Sequence, residues 1–315
     1  MNRELTIKVA DAVLYEGYML YPYRSSSIKN QQRWSFGILY PPRYEEVQQG
    51  TERAQMHSEC LLRLSGDTVV RVELRFLQLS TQPTLNRRRS SDVRDEAVTR
   101  SFEFDVSPAD ELQQFFQFGF DRLEQAASPQ LALSQNELQG SILVTCDLVR
   151  PGVMKLSIDV ANTTSLPPGA TERDSVLRSS LLSAHTILSV TGGEFVSLLD
   201  PQQDLRDEVK ACKNVGNFPV LVGNEGERDM LLCSPIVLYD YPQIAPESAG
   251  DFYDATEMDE MLTLRVMTLS DDEKSEIRTG DDRVRGLLQR TEESAREQLL
   301  KTHGTIRSMR PSSRQ

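Results

Sequence analysis

The chain is poor in the residues that carry most enzymatic and metal chemistry. Among 315 residues there are four cysteines, three histidines and one tryptophan. The cysteines, Cys60, Cys146, Cys212 and Cys233, are scattered and form no CxxC pair. That spacing argues against a zinc ribbon or a thioredoxin-like motif. It predicts free thiols that pack as small hydrophobes. No stretch approaches the roughly 18 apolar residues of a membrane helix. The N-terminus has no cationic segment followed by an apolar run, so no secretory signal is expected and the chain reads as cytoplasmic. GxSxG, HExxH and P-loop motifs are all missing. Gly192-Gly193 and Gly223-x-x-Gly226 are too sparse to cradle a phosphate.

Positive charge is also short. Lys and Arg number 35 against 47 Asp and Glu, a net charge of −12. A phosphate backbone must be met by a positive surface, so no nucleic-acid partner is expected. The same excess disfavours anionic membranes. Arg87-Arg88-Arg89 sits in a polar stretch that reads as a solvated loop. Asp251, Asp254, Glu257, Asp259 and Glu260 lack EF-hand spacing and its central Gly, and read as a solvated acidic loop. No metal or cofactor is expected.

Strand patterns dominate the first half. Val70, Val72, Leu74 and Phe76 alternate with Arg71, Glu73 and Arg75, a period of two. Cys60, Leu62 and Leu64 precede them, and Ser65-Gly66-Asp67 between the runs predicts a hairpin turn. Ile142–Cys146 and Met154–Val160 predict a second hairpin around Arg150-Pro151-Gly152. Trp34, Phe36 and Ile38 suggest a strand that ends at Pro41-Pro42. Ser107-Pro108 reads as a helix start, with Leu112, Phe115, Phe116 and Leu123 as its buried stripe.

A turn-rich stretch, Asn162 to Arg173, marks a boundary. Beyond it, Val176, Leu177, Leu181, Ala184 and Leu188 suit a helix that breaks at Gly192-Gly193. Phe195–Leu199, Phe218–Val222 and Met230–Leu232 read as strands. Ser270-x-x-Glu273 is a capping box, and Val284, Leu287, Leu288, Ala295 and Leu299 line one helical face behind it. The expected class is α+β. A sandwich- or barrel-like antiparallel β domain spans 1–165, a mixed region 166–269 packs on it, and a charged C-terminal helix with a tail fills 270–315.

Two tyrosine-rich segments remain, Val13–Arg24 and Pro235–Ser248. Both read as strands running into Pro-stiffened turns. Tyr and Arg are enriched in interaction hot spots. Tyr21, Tyr23, Arg24, Lys29 and Arg33 in the first segment, and Tyr239, Asp240 and Tyr241 in the second, are the candidate interaction residues. The rival reading is an enzyme of hydrolase type. His185 would be its base, with Asp200, Asp240 or Glu247 beside it. Its bland counterpart is a hydrogen-bonded structural histidine.

Leu20-Tyr21-Pro22-Tyr23-Arg24-Ser25, Ser27-Ile28-Lys29-Asn30 and Arg33-Trp34-Ser35-Phe36-Gly37 resemble a bacterial protein family associated with gene clusters for high-affinity NiFe uptake hydrogenases. Pro235 through Ser248, with Leu262-Thr263-Leu264-Arg265, carry the same resemblance. The catalytic large subunit of such enzymes binds its metals through paired CxxC motifs, which this chain lacks. The resemblance therefore implies a non-enzymatic accessory or interaction role. The implied protein partner is a NiFe-hydrogenase component or maturation factor.

Overall fold

Side-chain alternation builds one large antiparallel sheet. The computed structural model describes residues 2–15, 36–83, 93–108, 112–126, 132–244, 265–278 and 285–292. Two compact units divide the chain. One holds Met1–Tyr15 and Trp34–Gln243, the other Glu16–Arg33 and Ile244–Gln315.

In the first unit, α1 (Asn2–Tyr15) and α2 (Pro42–Val47) precede β1 (Gln55–Pro83), β2 (Val93–Val106), β3 (Gln113–Phe120) and β4 (Leu123–Ala126). Then come β5 (Ala132–Gln135), β6 (Leu138–Arg150), β7 (Val153–Asn162), α3 (Arg173–Leu177) and β8 (Leu182–Phe195). α4 (Arg206–Ala211), β9 (Phe218–Leu221) and β10 (Met230–Ser234) follow. The main path through the sheet is β3-β6-β7-β1-β8-β10-β9, with β2 and β5 also on β1 and β4 on β5. The ends of this path do not pair, so the sheet is not closed into a barrel.

The 29-residue β1 organises everything else. Gln55–Arg63 pairs with β7, and Val70–Pro83 pairs with β2. β8 runs beside both halves, with a register shift between Leu64 and Val69. The expected hairpin at Ser65-Gly66-Asp67 is therefore a bulge in one continuous strand. Gly66 and Gly192 both take positive φ there, at 79° and 68°. A side chain at Gly192 would stand 2.9 Å from the Asp67 carbonyl carbon, so only glycine lets the two strands approach. The Thr68 hydroxyl donates to the Gly192 carbonyl and pins the bulge.

The bent sheet folds over its own apolar face. β2 and β3 are distant in strand order, yet their aromatic side chains meet. Phe104 stacks on Phe116 at 3.8 Å between ring centroids, and Phe102 lies 5.4 Å from Phe118. Cys60, Leu62, Val72, Leu74 and Phe76 of β1 join the same core as Ile142, Val144, Leu156 and Ile158. Each such side chain contributes about 1.5–3 kcal/mol when fully buried. Gly140 pairs across from Phe118 and leaves room for its ring.

On the opposite face, Ala10 and Val13 of α1 cover Ile187, Val220 and Leu232. Leu205, at the head of α4, covers Leu61, Val153 and Val196. Arg75 anchors α1 through Asp11 at 2.5 Å.

Several expectations are corrected. Val13–Tyr15 closes a helix instead of opening a strand. The strand expected at Phe36–Ile38 is reduced to a bridge between Leu39 and Leu181, and Pro41-Pro42 opens α2. Gln113–Phe120 is strand, not helix, and Leu112 and Phe115 are exposed. The helix expected across Leu181–Leu188 is β8, preceded by the short α3; Gly192-Gly193 lies inside the strand. The β6–β7 hairpin forms as expected, with Ile142 opposite Val160 and Gly152 at the turn with φ 76°. The β9–β10 pair also forms as expected.

The second unit holds α5 (Asp271–Arg278) and a helical stretch at 285–292. Its capping box forms as read. The Ser270 amide donates to Glu273 at 2.9 Å, and the Glu273 amide donates to the Ser270 hydroxyl at 3.3 Å. Ile277, Leu287 and Leu288 are buried. Val284, Ala295 and Leu299 lie outside the described residues. Among the described residues, no helix is long and apolar enough to cross a membrane.

Candidate functional site

The strap that follows β10 alternates between anchoring and display. Ile236 and Leu238 pack against the α1 layer. Val237 and Tyr239 point the other way, each 86% exposed. Asp240 turns inward. Its Oδ1 accepts the Leu221 amide at 2.8 Å, and its Oδ2 accepts the Ser197 hydroxyl at 2.5 Å. Tyr241 takes φ 55°, a left-handed conformation that costs a bulky residue energy. Three contacts hold it there. Its amide donates to the Leu221 carbonyl at 2.7 Å, its hydroxyl donates to the Glu227 carbonyl at 2.9 Å, and its ring packs on the core. At the other end Pro235 fills the space that a side chain on Gly37 would need. The strap is thus fixed at both ends, with Tyr239 held out between them.

A cavity of about 410 Å³ opens at the root of this strap, lined by Tyr40, Met56, Arg53, Arg173, Gly216 and Pro235. Burial raises the Tyr40 phenol above its ordinary value, against the opposing charge of Arg173. Tyr40 is therefore a neutral hydroxyl at neutral pH.

His185 is not placed for catalysis. It is fully buried, and its Nδ1 bonds the Ser183 carbonyl at 2.8 Å. Burial lowers its pKa to about 4; the Ser183 carbonyl opposes the shift and Arg75 adds to it. No hydrogen bond or ion pair links it to Asp200 or Asp240. Asp200 meets Asp240 only through Ser197, whose hydroxyl accepts the Asp200 amide at 2.8 Å. That is a turn-stabilising arrangement. Glu247, Tyr21, Tyr23, Arg24, Lys29 and Arg33 lie outside the described residues.

A charged network escaped the sequence reading. His57 Nδ1 is 2.7 Å from Asp159, and Lys155 Nζ is 3.0 Å from Glu59. The Lys213 amide donates to Glu59 at 2.6 Å, and the Glu59 amide donates to Asn214 at 2.9 Å. Burial pushes the Glu59 carboxyl up, but the Lys213 amide and Lys155 outweigh it and hold the group below its ordinary value. These bonds, with the bridge between His57 and Val215, fasten 213–215 across β1 and β7. The signal was present as polar residues at alternate positions, His57 and Glu59 in one strand and Lys155, Ser157 and Asp159 in another. Among the described residues, no three His, Cys, Asp or Glu are grouped to hold a metal.

No family model matches the chain, and no curated protein matches it. Among solved structures, the secretin InvG of the Salmonella SPI-1 type III secretion injectisome, in its open gate state, is similar at 13% identity with a TM-score of 0.18. The match covers 59% of this chain and 63% of that one. A score of that size carries no argument about fold or function.

Proposed function

We propose that this is a non-enzymatic accessory protein that binds another protein through the 235–241 strap. The observation that carries the reading is the exposure of Tyr239 and Val237 between anchored neighbours. An aromatic side chain held rigidly in water contributes little to folding. It gives a partner large contact area at low entropy cost. The class of partner follows from the sequence resemblance: a NiFe-hydrogenase component or maturation factor. The four free cysteines, three of them buried, fit a reducing compartment, and we assign the cytoplasm. The enzyme reading loses its base, because His185 has no access to solvent or substrate.

The test is a tagged pull-down from the native host, wild type against the Val237→Ser, Tyr239→Ala double variant. Both side chains are exposed, so stability should stay within about 0.5 kcal/mol. Recovery of the partner should fall sharply. Equal recovery from both proteins would remove the strap as the binding surface.

A further inference from the structure

Among the described residues, the sheet protects all of its free edges but one. β9 contains Pro219, and the strap covers it, with Asp240 and the Tyr241 amide bonded to Leu221. β2 carries Asp95, Glu96, Arg100, Glu103 and Asp105. β4 is four residues long and holds Glu124. Shortness, proline, charge and covering loops are the devices by which sheets avoid edge pairing. Among the described residues, β3 has none of them. Its eight residues, Gln113–Phe120, contain no charge and no proline.

The register shows which backbone groups stand open. The Cys146 amide donates to the Leu112 carbonyl, so residues 112 and 146 form a hydrogen-bonded pair. Alternation then directs the even residues of β3 toward β6 and the odd residues outward. Among the described residues β6 is the sole strand paired with β3. Gln113, Phe115, Gln117 and Gly119 thus present unbonded amides and carbonyls. The side chains of Gln113, Phe115 and Gln117 are exposed too, Phe115 at 61%. Leu112 and Leu148 extend the apolar rim at 67% and 65% exposure.

We infer that β3 pairs with β3 of a second copy, antiparallel across a two-fold axis at Gln117, so that the sheet continues through a dimer. Charge selects this occupant. The chain is strongly acidic, and the neutral edge is where two copies meet without like charges opposed. The sequence is also self-complementary in this register. Phe116 meets Phe118 of the partner copy, and Phe115 covers the partner's Gly119. Phe118 already covers Gly140 in the same way within the chain. Gln117 meets its own copy, amide to amide. The odd residues then make about six backbone hydrogen bonds. The pairing buries less than a standard interface, so association is concentration-dependent.

Sedimentation equilibrium over a concentration series tests this on the full chain. Wild type should approach twice the chain mass. Gln117→Lys places two like charges on the axis, and Gln117→Pro removes an outward amide that β6 does not use. Each should weaken dimerisation by about tenfold or more, with an unchanged circular dichroism spectrum. If the proline variant fails to fold, the lysine variant gives the answer alone. A wild type that stays monomeric to its solubility limit would overturn the inference. So would a dimer that survives Gln117→Lys.

Discussion

Acidification should destabilise the protein through His185 alone by roughly 3.5 kcal/mol. In the folded chain the ring is fully buried, and its pKa is lowered from 6.5 to about 4. In the unfolded chain it takes a proton near its ordinary value. Between those two values the unfolded state binds more protons, so stability falls as pH falls through that window. Above the unfolded value the contribution is complete. The gap is about 2.5 units at about 1.4 kcal/mol each. The perturbation is His185→Gln, which keeps a polar side chain and cannot titrate. At neutral pH it should cost about 1 kcal/mol, for the altered bond to the Ser183 carbonyl. Carboxylates elsewhere titrate equally in both proteins and cancel. Urea unfolding at a series of pH values should therefore give curves that cross, with the variant less stable near neutrality and more stable in acid. Parallel curves would refute the reasoning, because they would mean that the ring is already hydrated in the folded state.

Other consequences follow from the packing. Gly140→Ala puts a methyl group 2.7 Å from Phe118 Cε1, and the overpacking should cost about 1–3 kcal/mol in denaturant unfolding. Gly192→Ala strains both a left-handed backbone and the bulge contact with Asp67, and a lowered melting temperature should report it. All four cysteines are free, so protein alkylated after denaturation without reductant should gain four adducts by mass spectrometry. In the native state Cys212 should react first. Burial pushes its thiol up to about 11, but it alone of the four is partly exposed.

Local pattern was enough for some elements and misleading for others. The β6–β7 hairpin was legible because both strands are apolar on one face and Pro151-Gly152 sets the bend. The β1 bulge was not. Its two runs and Ser-Gly-Asp have hairpin chemistry, and only the presence of β8 along both halves keeps the strand continuous. β8 hid for another reason: Leu182–Leu188 is buried throughout, so it lacks alternation and fits helical spacing equally well. In β3 the Ser107-Pro108 cap signal outweighed the alternation of Phe116, Phe118 and Phe120. The strap was legible as a candidate but not in its orientation. Val237, Leu238 and Tyr239 are all apolar in character, and only their packing separates Leu238 from its displayed neighbours.

The central claim is that the strap is a contact surface for another protein, with Tyr239 at its centre. Photo-crosslinking tests it most directly. A benzophenone side chain replaces Tyr239, or for comparison Val47, which is 50% exposed on α2. Irradiation in the native host should yield a discrete heavier adduct from position 239 and none from position 47. No adduct at 239, or the same adducts from both positions, would contradict the account.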